Sequence, residues 1–229
     1  MSNVKIYKVG GAVRDSLLGI PSKDIDFAVE APSFEAMRDH ILANGTIYLE
    51  KPEYFTIRGK LNGVDADFVL CRKEHGYTDG RRPDLVTVGD IYDDLSRRDF
   101  TMNAIAIDVE TGERIDPHNG QYDILHGVIR CVGSADQRFN EDSLRLLRAI
   151  RFAITKGFTL DHAIESCLND WAVVSKLKNV SPERIREELN RCFKHNTFAT
   201  WRKFEDFPIL ADTIFKIPGI KLEVTLNKN

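Results

Sequence analysis

Lys23-Asp24-Ile25-Asp26-Phe27-Ala28-Val29 is a β-forming run in which charged and apolar side chains alternate, and it follows Gly10-Gly11-Ala12-Val13-Arg14-Asp15 closely in the chain. Side chains alternate across a strand, so Asp24 and Asp26 leave the same face, and two carboxylates held that close suit a hard divalent cation. Upstream, Ile6 to Val9 reads as a short strand ending at the glycine pair, and Ala12 to Leu18 as a helix closed by Gly19. Glycine lets backbone N–H groups approach an anion closely, and a helix start beside it favours negative charge. A phosphate-sized turn ahead of a carboxylate pair points to nucleotide chemistry. Each part alone is also what ordinary turns and strand ends present.

The pattern continues outward from this core. Asp24 to Glu30 is the second strand, and Ser33 opens a helix toward Asn44-Gly45 with Phe34, Met37, Ile41 and Leu42 at helical spacing. Three strands follow, Thr46 to Glu50, Tyr54 to Leu61 and Val64 to Leu70, the last two joined by Asn62-Gly63, the dipeptide that best satisfies a tight hairpin turn. On the second arm of that hairpin Asp65 and Asp67 both qualify, by alternation, as a third carboxylate. Residues 72–89 are polar, glycine-bearing and aperiodic, which predicts a long loop. Beyond it come a short helix from Asp90 to Ser96, a turn through Arg97-Arg98-Asp99-Phe100 that a plain salt-bridged turn would also explain, and a strand from Ala104 to Val109.

From about residue 119 the periodicity becomes helical. Asn140 is placed to cap a helix from Glu141 to Lys156, with Leu144, Leu147, Ile150 and Ile154 on its apolar side and Gly157 at its end. Ser181-Pro182 starts another that runs to about His195. The expected class is α+β: a mixed sheet with helices in residues 1–118, an all-helical neck in 119–195 and a short helical remnant in 196–229.

At 229 residues with 42% hydrophobic side chains, the chain can bury a substantial core. Cys71, Cys131, Cys167 and Cys192 are irregularly spaced, without zinc-type pairing, and read as reduced thiols of a cytoplasmic protein. His75 and His118 have no partner at ligand spacing. No stretch is of signal-peptide or membrane-spanning length, so the expectation is a soluble protein without membrane partners. The net charge of −3 is unevenly spread: residues 176–203 carry eight basic side chains against three acidic ones. An acidic half joined to a locally basic one suits a polyanionic substrate, and an ordinary solvated helix face explains it equally well.

Four segments, taken in order, carry a resemblance. Gly10-Gly11-Ala12-Val13-Arg14-Asp15, Asp24-Ile25-Asp26, Arg97-Arg98-Asp99-Phe100-Thr101-Met102-Asn103-Ala104, and Glu141-Asp142-Ser143-Leu144-Arg145-Leu146-Leu147-Arg148-Ala149-Ile150-Arg151-Phe152 resemble the motifs of the tRNA nucleotidyltransferase/poly(A) polymerase family. They are most similar to the bacterial-type (class II) CCA-adding enzymes, which have a polymerase-β-like head. The resemblance implies template-independent addition of CMP and AMP to the tRNA 3′ end from CTP and ATP, with Mg2+ as cofactor and pyrophosphate released. It implies Asp24, Asp26 and Asp67 as metal ligands, favouring Asp67 over Asp65 because the family's third carboxylate stands five before the arginine that is Arg72 here. Gly10, Gly11 and Arg14 would lie against the triphosphate, and Arg98, Asp99 and Asn103 against the ribose. Asp142 and Arg145, three apart on the expected helix, would read the base edge in place of a template, with Arg148 and Arg151 continuing the stripe toward phosphates. The Ser181 to Leu189 helix would support that reading, with Glu183 and Arg184 in auxiliary bonds.

Family members usually continue into a helical body and tail that grip tRNA, whereas this chain ends at Asn229. The resemblance therefore implies a compact or truncated enzyme with weaker tRNA anchoring, and it leaves room for a homodimer or a helper protein in place of the tail. CC-only members have shortened the flexible loop before the Arg-Arg-Asp segment; residues 72–96 are full length, which predicts use of both CTP and ATP. A poly(A) polymerase, a CC- or A-adding enzyme, and a non-catalytic RNA-binding relic are the alternatives.

Overall fold

A computed structural model describes residues 4–22, 25–78, 80 and 82–220. By contacts the chain divides into Met1–Thr78 with Pro83–Gly133, and Asp79–Arg82 with Ser134–Asn229. The division falls after Gly133, later than the sequence pattern suggests, because the helix at Gly120–His126 packs on the 3-10 turn Thr101–Asn103 of the first unit.

The first unit is built on a seven-stranded sheet. In chain order its elements are β1 (Lys5–Val9), α1 (Gly11–Leu17), β2 (Asp26–Glu30), α2 (Phe34–Asn44), β3 (Gly45–Lys51), β4 (Thr56–Leu61) and β5 (Val64–Leu70). There follow β6 (Arg72–His75), β7 (Leu85–Val88), α3 (Ile91–Ser96), β8 (Ala106–Asp108), β9 (Arg114–Ile115) and α4 (Gly120–His126). The strand order is β3-β4-β5-β2-β1-β8-β9, and β2 runs parallel to β5 while its other neighbour β1 is antiparallel.

Period-two alternation decides which face each side chain takes. One face presents Val29, Ile57, Phe68 and Leu70 to Met37 and Ile41 of α2, with Phe27 and Phe68 stacked at 5.3 Å. Full burial of a side chain such as Phe68 contributes about 1.5–3 kcal/mol. Among the described residues the opposite face is covered over its β1 side, where Tyr7, Val9, Ala28 and Ala106 meet Ile91 and Leu95 of α3. Asp26, Asp67 and Arg58 lie on that same face beyond the cover, where they remain accessible. The β4–β5 hairpin turns at Asn62 and Gly63 with positive φ at both residues (50° and 85°), the geometry expected of an Asn-Gly turn.

Two expectations change here. The segment 72–89 is not a plain loop: β6 and β7 pair antiparallel from Arg72↔Val88 to His75↔Leu85, a ribbon hidden from pattern reading by the charged run of β6 and the shortness of β7, Leu-Val-Thr-Val. The helix expected from Glu141 to Lys156 with Asn140 as cap is two helices. In the second unit, α5 (Ala135–Glu141) ends where Asp142 becomes extended (φ −150°, ψ 103°), and α6 (Leu144–Lys156) starts after it. The Asp142 carboxylate accepts the Leu144 N–H at 3.1 Å, the local competition with helix hydrogen bonding for which aspartate is known.

The second unit continues with α7 (His162–Leu168), α8 (Trp171–Val174), α9 (Pro182–His195), α10 (Thr197–Asp206) and α11 (Pro208–Phe215). Helix α6 closes at Gly157 as expected and buries Leu146, Leu147, Ala149 and Ile150; α9, with Pro182 in its first turn, packs on it through Ile185, Leu189 and Cys192. Phe193, Trp201, Phe204 and Phe215 form an aromatic cluster over α9–α11. All four cysteines are buried thiols, and burial pushes Cys192 up to about 12. Among the described residues no helix is long and apolar enough to cross a membrane.

Candidate active site

In the first unit the parallel pairing of β2 with β5 sets Asp26 directly opposite Asp67. Adjacent strands lie roughly 4.8 Å apart, so the pairing offers two hard carboxylates to one cation. Asp65, by contrast, is opposite Lys60 in the β4–β5 hairpin and accepts from the Tyr48 hydroxyl at 2.6 Å, one step farther from Asp26. Asp24 lies outside the described residues. Among those described, no group of three or more His, Cys, Asp or Glu side chains stands together as a metal centre. The oxygen-only donors Asp26 and Asp67 fit a hard divalent ion.

Beside this pair the turn after β1 brings backbone and cations together. Gly10 has φ 70°, and a Cβ built on it would stand 3.2 Å from Arg98 Nη1 and 3.9 Å from Asp26 Oδ2. Glycine is therefore what allows the chain to pass between a guanidinium and a carboxylate. Arg14, buried on α1, donates from Nη1 to Asn103 Oδ1 at 2.6 Å and from Nε to Asp15 at 2.9 Å, with Nη2 close over Gly11. Asn103 donates in turn to Asp99 Oδ1 at 3.1 Å, which also accepts the Phe100 N–H at 2.8 Å. Gly10, Arg14, Arg98, Asp99 and Asn103 are thus linked by hydrogen bonds, with Gly11 beside the Arg14 guanidinium.

The residue that holds this group in place was not singled out from the sequence. Asp94 on α3 is fully buried; its Oδ2 accepts from Arg98 Nε and Nη2 at 3.1 and 2.7 Å, and its Oδ1 accepts from Arg97 Nε at 3.0 Å and from Arg97 Nη2. Burial raises the Asp94 carboxyl, but the guanidiniums of Arg98 and Arg97 outweigh it and hold it below the ordinary carboxylate value. Arg97 also meets Glu74 of β6 at 3.4 Å. The spacing of Asp94 from Arg97 and Arg98, three and four residues on, was the available signal.

The second unit holds the remaining candidates. Asp142 and Arg145 do not share a helix face, since Asp142 precedes α6. Asp142 Oδ2 accepts from Arg184 Nη2 of α9 at 2.8 Å, while Arg145 Nη1 donates to Glu141 Oε2 at 2.8 Å and to the Arg138 carbonyl at 3.1 Å. Arg151 is bound inward, its Nε on Glu188 Oε2 at 2.5 Å and its guanidinium 4.0 Å over the Phe152 ring; Arg148 lies 3.9 Å from the same Glu188. Burial lowers the Arg151 guanidinium, opposed by Glu188. Glu188, buried on α9, and Glu141 are the anchoring carboxylates that the arginine stripe alone does not reveal.

Comparison with known proteins places these observations. The model of the poly(A) polymerase head domain matches residues 6–130. A CCA-adding enzyme of Geobacillus kaustophilus (strain HTA426) is 40% identical over 223 residues, which is 96% of this chain and 52% of the relative. One from Lactococcus lactis subsp. cremoris (strain MG1363) is 40% identical over 216 residues, covering 90% of this chain and 53% of its own. Among solved structures, the Bacillus stearothermophilus CCA-adding enzyme in complex with CTP superposes with a TM-score of 0.75 at 32% identity, over 95% of this chain and 51% of that one. A tRNA nucleotidyltransferase complexed with a primer tRNA and an incoming ATP analog gives 0.76 at 29% identity, over 96% and 61%. The chain spans about half the length of the curated relatives it matches.

Proposed function

Because this chain belongs to the poly(A) polymerase head-domain family, we propose that it is a template-independent nucleotidyltransferase that adds CMP and AMP to the 3′ end of tRNA and releases pyrophosphate. The observation that carries this reading is the register of Asp26 on Asp67 beside the Gly10–Arg98–Arg14 group: paired acceptors and clustered donors within one unit. A divalent cation, generally used in this family and here proposed to be Mg2+, would be held by Asp24, Asp26 and Asp67 and would activate the attacking hydroxyl and stabilise the leaving pyrophosphate.

The protein's own groups do the binding and orienting. Gly10 and Gly11 allow the triphosphate close to the backbone, and Arg14, pre-set by Asn103 and Asp15, offers guanidinium N–H donors to it. Arg98, Asp99 and Asn103 combine donors and acceptors, as recognition of a ribose hydroxyl requires. In the helical unit Asp142 accepts the amino group of C or A and Arg145 donates, each held by its own partner, so that protein replaces a template; Arg148 adds a cation for phosphate. Arg151 supports α6 from Glu188. The relatives with CTP, primer tRNA and an ATP analog support CTP, ATP and the tRNA 3′ end as substrates here. Buried thiols are in keeping with a cytoplasmic setting.

Incubation with tRNA ending at the discriminator base, Mg2+ and each nucleotide separately tests this. Two C additions from CTP followed by one A from ATP is the expected result. Long runs from ATP alone would replace the reading with poly(A) synthesis, and RNA binding without consumption of either nucleotide would leave only a binding module.

A further inference from the structure

Helix α5 is seated in the second unit by Ala135 and Phe139, both buried, which fixes the direction of the side chains around it. It ends at the break before Asp142, and a helix that stops leaves its last carbonyls short of N–H partners. One of these carbonyls belongs to Arg138. It accepts the Asp142 N–H at 3.3 Å, closing the final turn of α5, and also Arg145 Nη1 at 3.1 Å. A guanidinium that caps a helix C-terminus in this way also meets the negative end of the helix dipole. Asp142 and Arg145, which do not share a helix face, are thus joined at one main-chain oxygen.

The Arg138 side chain reaches the same pair by a second route. Its Nη2 donates to Glu141 Oε1 at 2.7 Å, where the Gln137 amide donates at 3.1 Å, while Glu141 Oε2 accepts from Arg145 Nη1 at 2.8 Å. The side chains of Arg138, Glu141 and Arg145 are only 12%, 10% and 13% exposed, so solvent screens these charge-assisted bonds little. Two donors on Oε1 set the plane of the carboxylate and leave Oε2 for Arg145. Without Arg138 the carboxylate can turn both oxygens onto Arg145, because the bidentate pair is the preferred geometry of carboxylate and guanidinium. The fork that Arg145 would offer to a base is then drawn toward Glu141.

We propose that Arg138 is the positioning residue of the base-reading pair. Its carbonyl ties Asp142 and Arg145 to one point, and its guanidinium, acting through Glu141, sets the direction in which Arg145 donates. This rests on the nucleotidyltransfer reading above. The consequence is selective. Cytosine and adenine each present a ring nitrogen that accepts beside an amino group that donates, and uracil and guanine present the reverse. An Arg145 out of line therefore penalises the two accepted bases and spares the two rejected ones.

The test compares Arg138→Met, which keeps an aliphatic stem and removes the donors, with Arg138→Lys and with Gln137→Ala, a change at an exposed residue that removes the other donor to Oε1. Single-nucleotide incorporation into an acceptor-stem hairpin gives kcat/KM for CTP, ATP and UTP, and urea unfolding reports the fold. The expected result for Arg138→Met is a fall of roughly tenfold for CTP and ATP with UTP within about twofold, so that discrimination narrows by the same factor. Arg138→Lys should recover most of the loss, and Gln137→Ala should show the same pattern at smaller size. In a Glu141→Gln background, Arg138→Met should change kcat/KM for CTP by less than about twofold, because the route runs through Glu141. Losses that multiply in the double variant, or that fall equally on UTP, would overturn the proposal, as would wild-type discrimination in Arg138→Met. If Arg138→Met does not fold, an unchanged CTP-to-UTP ratio in Gln137→Ala overturns it instead. The Arg145 Nε–Hε resonance, assigned with Arg145→Lys, should shift in the position 138 and 137 variants, and a resonance that stays in place counts against the proposal. A wild-type chain that incorporates nothing would remove the nucleotidyltransfer reading, while this resonance would still decide whether Arg138 holds Arg145.

Discussion

Replacing Asp94 with alanine is the most informative single perturbation of the head. Its carboxylate is 0% exposed and accepts from both guanidiniums of Arg97 and Arg98, each of which keeps 20% side-chain exposure. Breaking a buried pair by removing one partner costs about 3–5 kcal/mol, because the other charge is left uncompensated. Here two cations are stranded, but partial exposure and the Glu74 contact to Arg97 offset some of that, so the expectation is the lower end, about 3 kcal/mol. Urea unfolding of the full chain measures it. Among the described residues Arg98 would keep its bond to the Asn103 carbonyl at 3.3 Å but lose its carboxylate, so KM for CTP should rise in the fraction that stays folded. The pH dependence is a second readout. Burial raises this carboxyl and the two arginines lower it further, so its folded value lies below the unfolded one of about 3.9. Its contribution is therefore complete above that pH and is lost as pH falls through the folded value. The stability gap between wild type and Asp94→Ala should be flat from about pH 5 to 8 and close below about pH 4. A loss under about 1 kcal/mol with KM unchanged would mean that Asp94 behaves as a surface ion pair, and would refute its role as the anchor of Arg98.

The two candidates for the third carboxylate should separate cleanly: Asp67→Asn should lower turnover by at least about a hundredfold, and Asp65→Asn by less than about tenfold, measured as pyrophosphate release with circular dichroism confirming the fold. Asp142→Ala should relax the choice between nucleotides, read as incorporation of UTP or GTP that wild type rejects. Glu188→Ala should destabilise by about 3 kcal/mol on thermal or urea unfolding, since it leaves Arg151 buried without its carboxylate; an effect under about 1 kcal/mol would remove Glu188 as the tie between α9 and α6.

Much of the head is legible in the chain because its signals are local. Gly10-Gly11, the alternation through Asp26 and the Asn62-Gly63 turn each fix backbone geometry over a few residues, and the structure has them where the pattern puts them. What stayed hidden depends on neighbours distant in sequence. The β6–β7 ribbon pairs a charged strand, Arg72–His75, with a short uncharged one, Leu85–Val88, and takes its form from that pairing across the connection between them. The break at Asp142 turns on one side-chain hydrogen bond to Leu144 that outcompetes helix continuation, and helical periodicity runs straight through it. Alternation alone leaves Asp65 and Asp67 equivalent; that Asp67, the residue the family resemblance favours, stands opposite Asp26 is visible only in the β2–β5 register. Likewise the arginines of α6 look like an exposed stripe until Glu188 on α9 is seen to hold Arg151.

The Asn62-Gly63 turn acts on the chemistry without touching it. Because β4 and β5 are joined by only these two residues, the length of the connection counts out which side chain of β5 arrives beside Asp26. One inserted residue would send Asp67 to the face packed on α2 and bring its apolar neighbour to the open side. At this hairpin the number of residues is therefore as much a part of the site as the carboxylate itself.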